Sequence, residues 1–459
     1  MRVMERIMPG TRVAGPENIL LPAGYQIEPV AESLNYPTAV SWDVDGYLLI
    51  AESRFPYGRS APTQPRILRQ TEEGNLEPFA TGFSELINDI TVYLGLLYVS
   101  HRGRISVVED GRIRDLVSDL PSWGIHHNNT VAFDRTGRMY FAQGTLSNAG
   151  VLGPMALASL QETGHPGAHD VPGATVVLRG RNYQVTHPFT GETRLTGAFS
   201  PWGTATEEGQ RIPGPGPGGA ASGAIMSANR DGSDLRVYAW GFRNPFGLAV
   251  APDGALYATN NGANLLPPRR VANDPDTLWR VEEGVWYGWP DYFAGRPIVD
   301  PALQPPDGPP EEFLIANHDR LLASRAAPPE PVLSFGTNVS ANGFDFCLHD
   351  EFGFPGQAFV AEFGPMLAVV AGAPPDLPVG RKVVRVDLAQ RTASDFATNR
   401  NGPPSQNGNQ GGLERPVAAK FGPDGNLYVV DYGVVDWRDG GWEAAAGTGI
   451  IWKVTRIGR

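Results

Sequence analysis

One cysteine, three lysines and no long apolar run mark this 459-residue chain, and each shortage excludes something. A lone Cys347 cannot form an internal disulfide, and a structural zinc site built from several cysteines is ruled out. It sits in the alternating stretch Gly343-Phe344-Asp345-Phe346-Cys347-Leu348, which predicts a buried thiol rather than a nucleophile. No run approaches the roughly 18 apolar residues of a membrane-crossing helix, so no membrane span is expected. Met1 to Gly24 lacks the continuous apolar segment of a signal peptide. Positive charge is outweighed: the net charge of −12 repels phosphates, which argues against a nucleic-acid partner. Also missing are a Walker loop, a Gly-x-Gly-x-x-Gly between strand and helix, a His-Glu-x-x-His pair and a nucleophile elbow.

What is abundant is turn-forming and aromatic: 56 Gly, 42 Pro, 20 Phe and 10 Trp. That mixture predicts short strands joined by tight turns around a large core, not long helices or disorder. One pattern recurs six times, a turn ending in Gly followed by a short apolar strand and a small or acidic residue. It begins at Asp45-Gly46, Gly95, Thr136-Gly137, Asp253-Gly254, Pro355-Gly356 and Asp424-Gly425. The Gly supplies the positive φ of a hairpin turn, and the uninterrupted apolar run after it reads as a strand buried on both faces. A second, alternating strand follows in most units, as in Arg66–Arg69, Arg104–Val108, Leu278–Val281, Val383–Val386 and Ile451–Val454. The tight units are spaced by about 40 to 50 residues, the length of a four-stranded blade. The expectation is an all-β chain, a single six-bladed β-propeller over 23–459 after an N-terminal extension of 1–22. Two stretched intervals place long covering loops at about 145–222 and 291–330, on one face, where insertions often serve function.

Three constellations could carry chemistry. Gly124-Ile125-His126-His127-Asn128-Asn129 precedes the third repeat strand, so its histidines would enter the propeller near its axis. Catalytic or ligand histidines and histidines satisfied in the core both fit that placement. His101 is a candidate neighbour, whereas His165, His169, His187 and His318 lie in the inserts and are expected at the surface. The second is Trp240-Gly241-Phe242-Arg243-Asn244-Pro245, which puts a guanidinium at a constrained turn, with packing on Trp240 or Phe246 as the plainer alternative. The third, Asn260-Asn261-Gly262-Ala263-Asn264, could offer oxygen ligands to a hard cation, or be a turn without metal.

Together with Trp286-Tyr287-Gly288-Trp289-Pro290-Asp291, these motifs resemble the soluble quinoprotein glucose and sorbosone dehydrogenases, the sorbosone-type branch more than the glucose enzymes. The resemblance runs from about residue 23 onward. It implies pyrroloquinoline quinone and Ca²⁺ as cofactors, and oxidation of an aldose or related sugar or polyol aldehyde by hydride transfer to the quinone. On that resemblance His126 matches the general base and Arg243 the cation that stabilises charge developing on the quinone. His127, Asn129, Asn244, Arg381 and Arg415 match cofactor-binding positions, and the Gly262 and Ala263 carbonyls match calcium ligands. The implied partners are a sugar and an electron acceptor, for a monomer or homodimer working in the periplasm or secreted, with a cytoplasmic place left open.

The chain departs from the family in three places. No lysine stands at the position of the cofactor lysine, near Val379, where Arg381 or Lys382 would have to substitute. Leu265-Leu266-Pro267-Pro268-Arg269-Arg270 replaces the acidic pair that usually follows the Asn-Gly turn, and a proline follows Arg415. Two other readings therefore stand beside the dehydrogenase: a cofactor-less propeller that binds glycan or protein, and a metal-dependent lactonase or hydrolase on the same scaffold.

Overall fold

The computed structural model describes residues 12–109, 111–374, 377–402 and 411–458, so part of the expected N-terminal extension, 1–11, lies outside the described residues. Each repeat strand becomes the second strand of an antiparallel sheet: Leu48–Glu52, Leu96–His101, Met139–Gln143, Leu256–Asn261, Ala358–Glu362 and Leu427–Asp431. The turn glycines before them do what their sequence context requires, with φ of 84° at Gly46 and 87° at Gly254. These strands are buried along nearly their whole length, since a neighbouring sheet covers each face. Each pairs back with a first strand: Pro37–Trp42, Ile87–Tyr93, Asn128–Phe133, Asn244–Val250, Ala341–Phe346 and Pro416–Phe421. These first strands pack in chain order, each on the next, and the last returns to the first. Among the described residues there are six sheets of four or five strands, in a nearly all-β molecule.

The sixth sheet is completed from the other end of the chain. Its strands Pro416–Phe421, Leu427–Asp431 and Gly449–Arg456 take Tyr25–Leu34 as their outer partner, with Tyr25 opposite Arg456 and Leu34 opposite Gly449. Ile19–Leu20 adds a fifth strand to the sheet of Ala341–Phe346 by pairing with Thr392–Asn399. Cys347 is fully buried against Phe352, Phe359 and Phe396, as the alternation predicted.

The two stretched intervals are built structures rather than plain covering loops. The first carries the helix Pro154–Glu162 and two hairpins, Val176–Arg179 with Glu208–Ile212 and Asn182–Thr186 with Thr193–Gly197. The second leaves the third strand of the fourth sheet at Val281, then climbs the edge of the neighbouring sheet. Gly284 N–H donates to Tyr238 O, Trp240 N–H to Val285 O and Trp289 N–H to Gly241 O. Above, the inserts meet through a Leu178–Ile315 bridge. Arg269, wholly buried, fastens the meeting point by donating to Ala149 O, Pro290 O, Glu312 O and the Asp291 carboxylate. His187 and His318 are accordingly not surface residues: His187 is buried, and His318 Nε2 lies 2.9 Å from Asp291 beneath Trp286. Among the described residues no helix is long and apolar enough to cross a membrane.

Candidate active site

Because first and second strands run antiparallel, the starts of all first strands and the ends of all second strands lie at the same end of the molecule. A cavity of about 150 Å³ opens there. The third to fifth sheets make it polar, with His126, His127, Asn129, Arg243, Asn244 and Asn261. The fifth, sixth and first sheets make the other half apolar, with Phe55, Tyr57, Phe363, Met366, Val417 and Tyr432. The sequence motifs around His126, Arg243 and Asn261 converge because His126 and Arg243 each precede the first strand of their sheet and Asn261 ends the second strand of the fourth, opposite Asn244.

His126 is buried, and its Nδ1 lies 3.0 Å from the carbonyl oxygen of Thr145. A carbonyl only accepts, so Nδ1 carries the ring proton and Nε2 keeps its lone pair. Nε2 is buried without a protein partner on a residue that lines the cavity. Burial, and secondarily the Arg243 cation, hold the His126 pKa well below its ordinary value, so the ring is neutral across the physiological range. His127 is neutral for the same first cause, with Arg102 adding to it. Its Nε2 accepts from Arg102 Nη2 at 2.6 Å, while its ring lies parallel to Tyr57.

Arg243 is fully buried, which lowers its pKa to about 10, against the opposing pull of Asp274 and Asp276; it remains a cation at neutral pH. Nη2 donates to Asn148 Oδ1 at 3.0 Å, and Nε faces no protein acceptor. Its side chain does not simply pack on Trp240 or Phe246; it lines the cavity. Three asparagines form a relay along the polar half: Asn129 Nδ2 donates to Asn244 Oδ1, Asn244 Nδ2 to Asn261 Oδ1, and Asn261 Nδ2 to Ala341 O. Their amide orientations are thereby set, and no side chain in the relay is free to turn.

Gly262 and Ala263 lie beside Arg243, but only Gly262 lines the cavity. Their N–H groups donate to Asp276 Oδ1 at 2.7 Å and Asp274 Oδ2 at 2.6 Å. Burial raises Asp276 to about 6 and Asp274 to about 7, and Asp274 Oδ1 has no partner. Thus an acidic pair does support the Asn-Gly turn, supplied from 12 and 14 residues beyond Gly262 rather than directly after it. Among the described residues no three His, Cys, Asp or Glu side chains gather as a metal cluster.

Arg381 and Arg415 are buried behind the cavity wall, not in it. Arg415 donates to Phe363 O, Pro365 O and Val435 O; Arg381 donates to Leu377 O. Both press on Gly364, a wall residue whose φ is +90°. His101 is likewise outside the cavity, bonded to Ser106. The residues sequence reading missed are Thr145, Asn148, Asp274 and Asp276. None carries a local motif; only the folded insert and strand register bring them in.

The arrangement is that of a β-propeller, and comparison with known structures agrees on the fold. The PQQ domain of a pyranose dehydrogenase from Coprinopsis cinerea, in its holo form, aligns with TM-score 0.57 at 17% identity, covering 95% of this chain and 97% of that one. A PQQ-bound aldose sugar dehydrogenase from Streptomyces coelicolor gives 0.51 at 15%, with 95% and 100% covered. A calcium structure of a carbohydrate-active enzyme from Trichoderma reesei gives 0.54 at 15%, with 98% and 99% covered. No curated protein matches the chain. The glucose/sorbosone dehydrogenase family matches residues 218–305, the stretch that holds Arg243, Asn244, Asn261 and the Gly262–Ala263 turn. The resemblance to that family, read above from the motifs, is borne out.

Proposed function

We propose that the chain is a pyrroloquinoline-quinone-dependent sugar dehydrogenase built as a six-bladed propeller, with His126 as its general base. The observation that carries this reading is the unpartnered Nε2 of a neutral, tautomer-locked His126 in a cavity that also presents the Arg243 cation. The residues present suit the quinone. The apolar half offers Phe55, Tyr57, Phe363 and Tyr432 to a flat ring system, while Arg243, Asn129 and Asn244 offer polar contacts to its edge. Calcium suits the turn at Gly262, where Asp274 keeps one unpartnered carboxylate oxygen. The quinone, when bound, supplies a two-electron hydride acceptor.

The chain's own part in the reaction is to hold the sugar and move a proton. The hydroxyl proton of the sugar's reacting carbon passes to His126 Nε2, while the hydrogen on that carbon leaves with its electron pair. A sugar oxidised at its anomeric carbon becomes the lactone, and an external acceptor later removes the two electrons. Arg243, fixed in a desolvated site, stabilises the negative charge that develops opposite the base. Neutral His126 and His127 leave Arg102 and Arg243 as the buried cations of this half, so the site favours an anionic transition state. Work in the periplasm or outside the cell fits this chemistry.

Metal-stripped protein titrated with pyrroloquinoline quinone, with and without Ca²⁺, and then assayed by dye reduction over a sugar panel, tests the reading. Calcium-dependent uptake followed by sugar-driven bleaching is expected. No uptake under either condition would overturn it in favour of a cofactor-less binding propeller.

A further inference from the structure

Directly after the strand Met139–Gln143, the chain forms a short strap, Thr145 to Asn148, that touches both sides of the reactive centre. At one end Thr145 holds the base through its carbonyl, and its own N–H donates to Arg243 O. At the other end Asn148, 5% exposed, uses one side-chain amide for several purposes. Its Oδ1 accepts from Arg243 Nη2 at 3.0 Å and from Asn264 N–H at 3.1 Å. Its Nδ2 donates to Asn264 O at 2.8 Å and to Arg269 O at 3.2 Å. The strap is pinned between these ends by Asp170, whose carboxylate accepts from the N–H groups of Leu146 and Ser147. No carboxylate forms an ion pair with Arg243 among the described residues, so its plane is set by Asn148 and by Asn261 O at 3.4 Å.

We propose that Asn148 is a positioning residue of the reaction: it sets the Arg243 guanidinium and the Gly262–Asn264 turn together, and the strap ties both to the base. This rests on the function proposed above. The oxygen of one neutral amide is suited to the task because it orients the cation without neutralising it. A carboxylate in its place would keep the acceptor and cancel part of the charge that Arg243 offers.

Four variants test the assignment: Asn148→Ala, Asn148→Asp, Arg243→Ala, and Asn148→Ala combined with Arg243→Ala. Removing the acceptor leaves Arg243 Nη2 and the Asn264 N–H without their partner, and an about ten- to hundredfold loss of kcat with KM changed about threefold or less is expected. The double variant should be no slower than Arg243→Ala alone, because the two side chains act through one interaction. A readout independent of turnover is backbone amide exchange in the intact, cofactor-free protein. The Asn264 N–H should exchange faster in Asn148→Ala and stay protected in Asn148→Asp, which keeps the acceptor but loses kcat through its charge. Unchanged kcat in Asn148→Ala, or losses that add fully to those of Arg243→Ala, would overturn the proposal. If the wild-type protein takes up no quinone, the functional reading falls, while unaltered Asn264 exchange in Asn148→Ala would separately refute the positioning role.

Discussion

Replacing His126 with glutamine removes the buried, unpartnered Nε2 of a residue that lines the cavity. Glutamine retains an amide that can donate to Thr145, so the neighbouring strap keeps a partner. What disappears is the base, and general-base removal costs about 100- to 10,000-fold in rate, or roughly 3–5 kcal/mol of barrier. The assay is sugar-dependent dye reduction by quinone- and calcium-loaded protein, with kcat/KM followed from pH 5 to 9. Since the wild-type pKa is held well below 6.5, the wild-type profile should already be flat at pH 6.5 and fall only in more acid solution. Stability provides a second measure with its own sign. A histidine whose folded pKa lies below its unfolded value takes up its proton more readily when unfolded. Stability is therefore lost as pH falls below about 6.5, by up to roughly 1.4 kcal/mol per pH unit for each such group, until the folded value is reached. His126, His127 and His101, whose pKa burial lowers to about 4, all contribute to that slope, and the glutamine variant should lose only the His126 share. A variant that retains more than a tenth of wild-type kcat/KM, or an unchanged acid slope of unfolding free energy, would refute the reasoning.

Two further perturbations probe the frame around the site. Arg269→Met removes the cation of an ion pair whose partner, Asp291, is also fully buried, and should lower the free energy of unfolding by about 3–5 kcal/mol. Chemical denaturation checks it, and a change below about 1 kcal/mol would mean that the two inserts do not depend on this hub. Gly364→Ala places a methyl 2.9 Å from Arg381 Cγ and 3.2 Å from Arg415 Nη1 at a φ of +90°. A loss of about 1–3 kcal/mol is expected. The cavity wall should shift with it, and quinone affinity in the loaded protein should weaken about tenfold or more; equal affinity would show that the wall yields without consequence.

Much of the sheet architecture was legible because it rests on local rules. A Gly at positive φ followed by an unbroken apolar run specifies a hairpin and a doubly covered strand wherever it occurs, and all six such runs became second strands. The nearness of His126 and Arg243 was legible for the same reason, since each precedes the first strand of its sheet. The outer strand Tyr25–Leu34 was not read: it lies at a sheet edge, only partly buried, so it carries no strong apolar signature. The inserts were underestimated because Gly- and Pro-rich composition marks turns but says nothing of what the turns pack against.

The placement of Arg381 and Arg415 shows the other limit. Sequence put them at the right end of the fifth and sixth sheets, yet whether a long side chain lines a cavity or supports its wall depends on which carbonyls lie within reach. The acidic pair was missed for a related reason. Asp274 and Asp276 come to the Asn-Gly turn through the pairing of Leu256–Asn261 with Asp276–Val281, not through adjacency in the chain. By itself, then, the sequence determined the repeated strand, its turns, and the end of the molecule to which His126 and Arg243 are brought, since these follow from backbone geometry and apolar patterning within a few residues. Only the tertiary structure decided the tautomer of His126, the partners of Arg243 and the side of the wall on which each arginine lies. Most of those depend on hydrogen bonds between residues 18 to 95 positions apart, which exist only once the sheets have packed together.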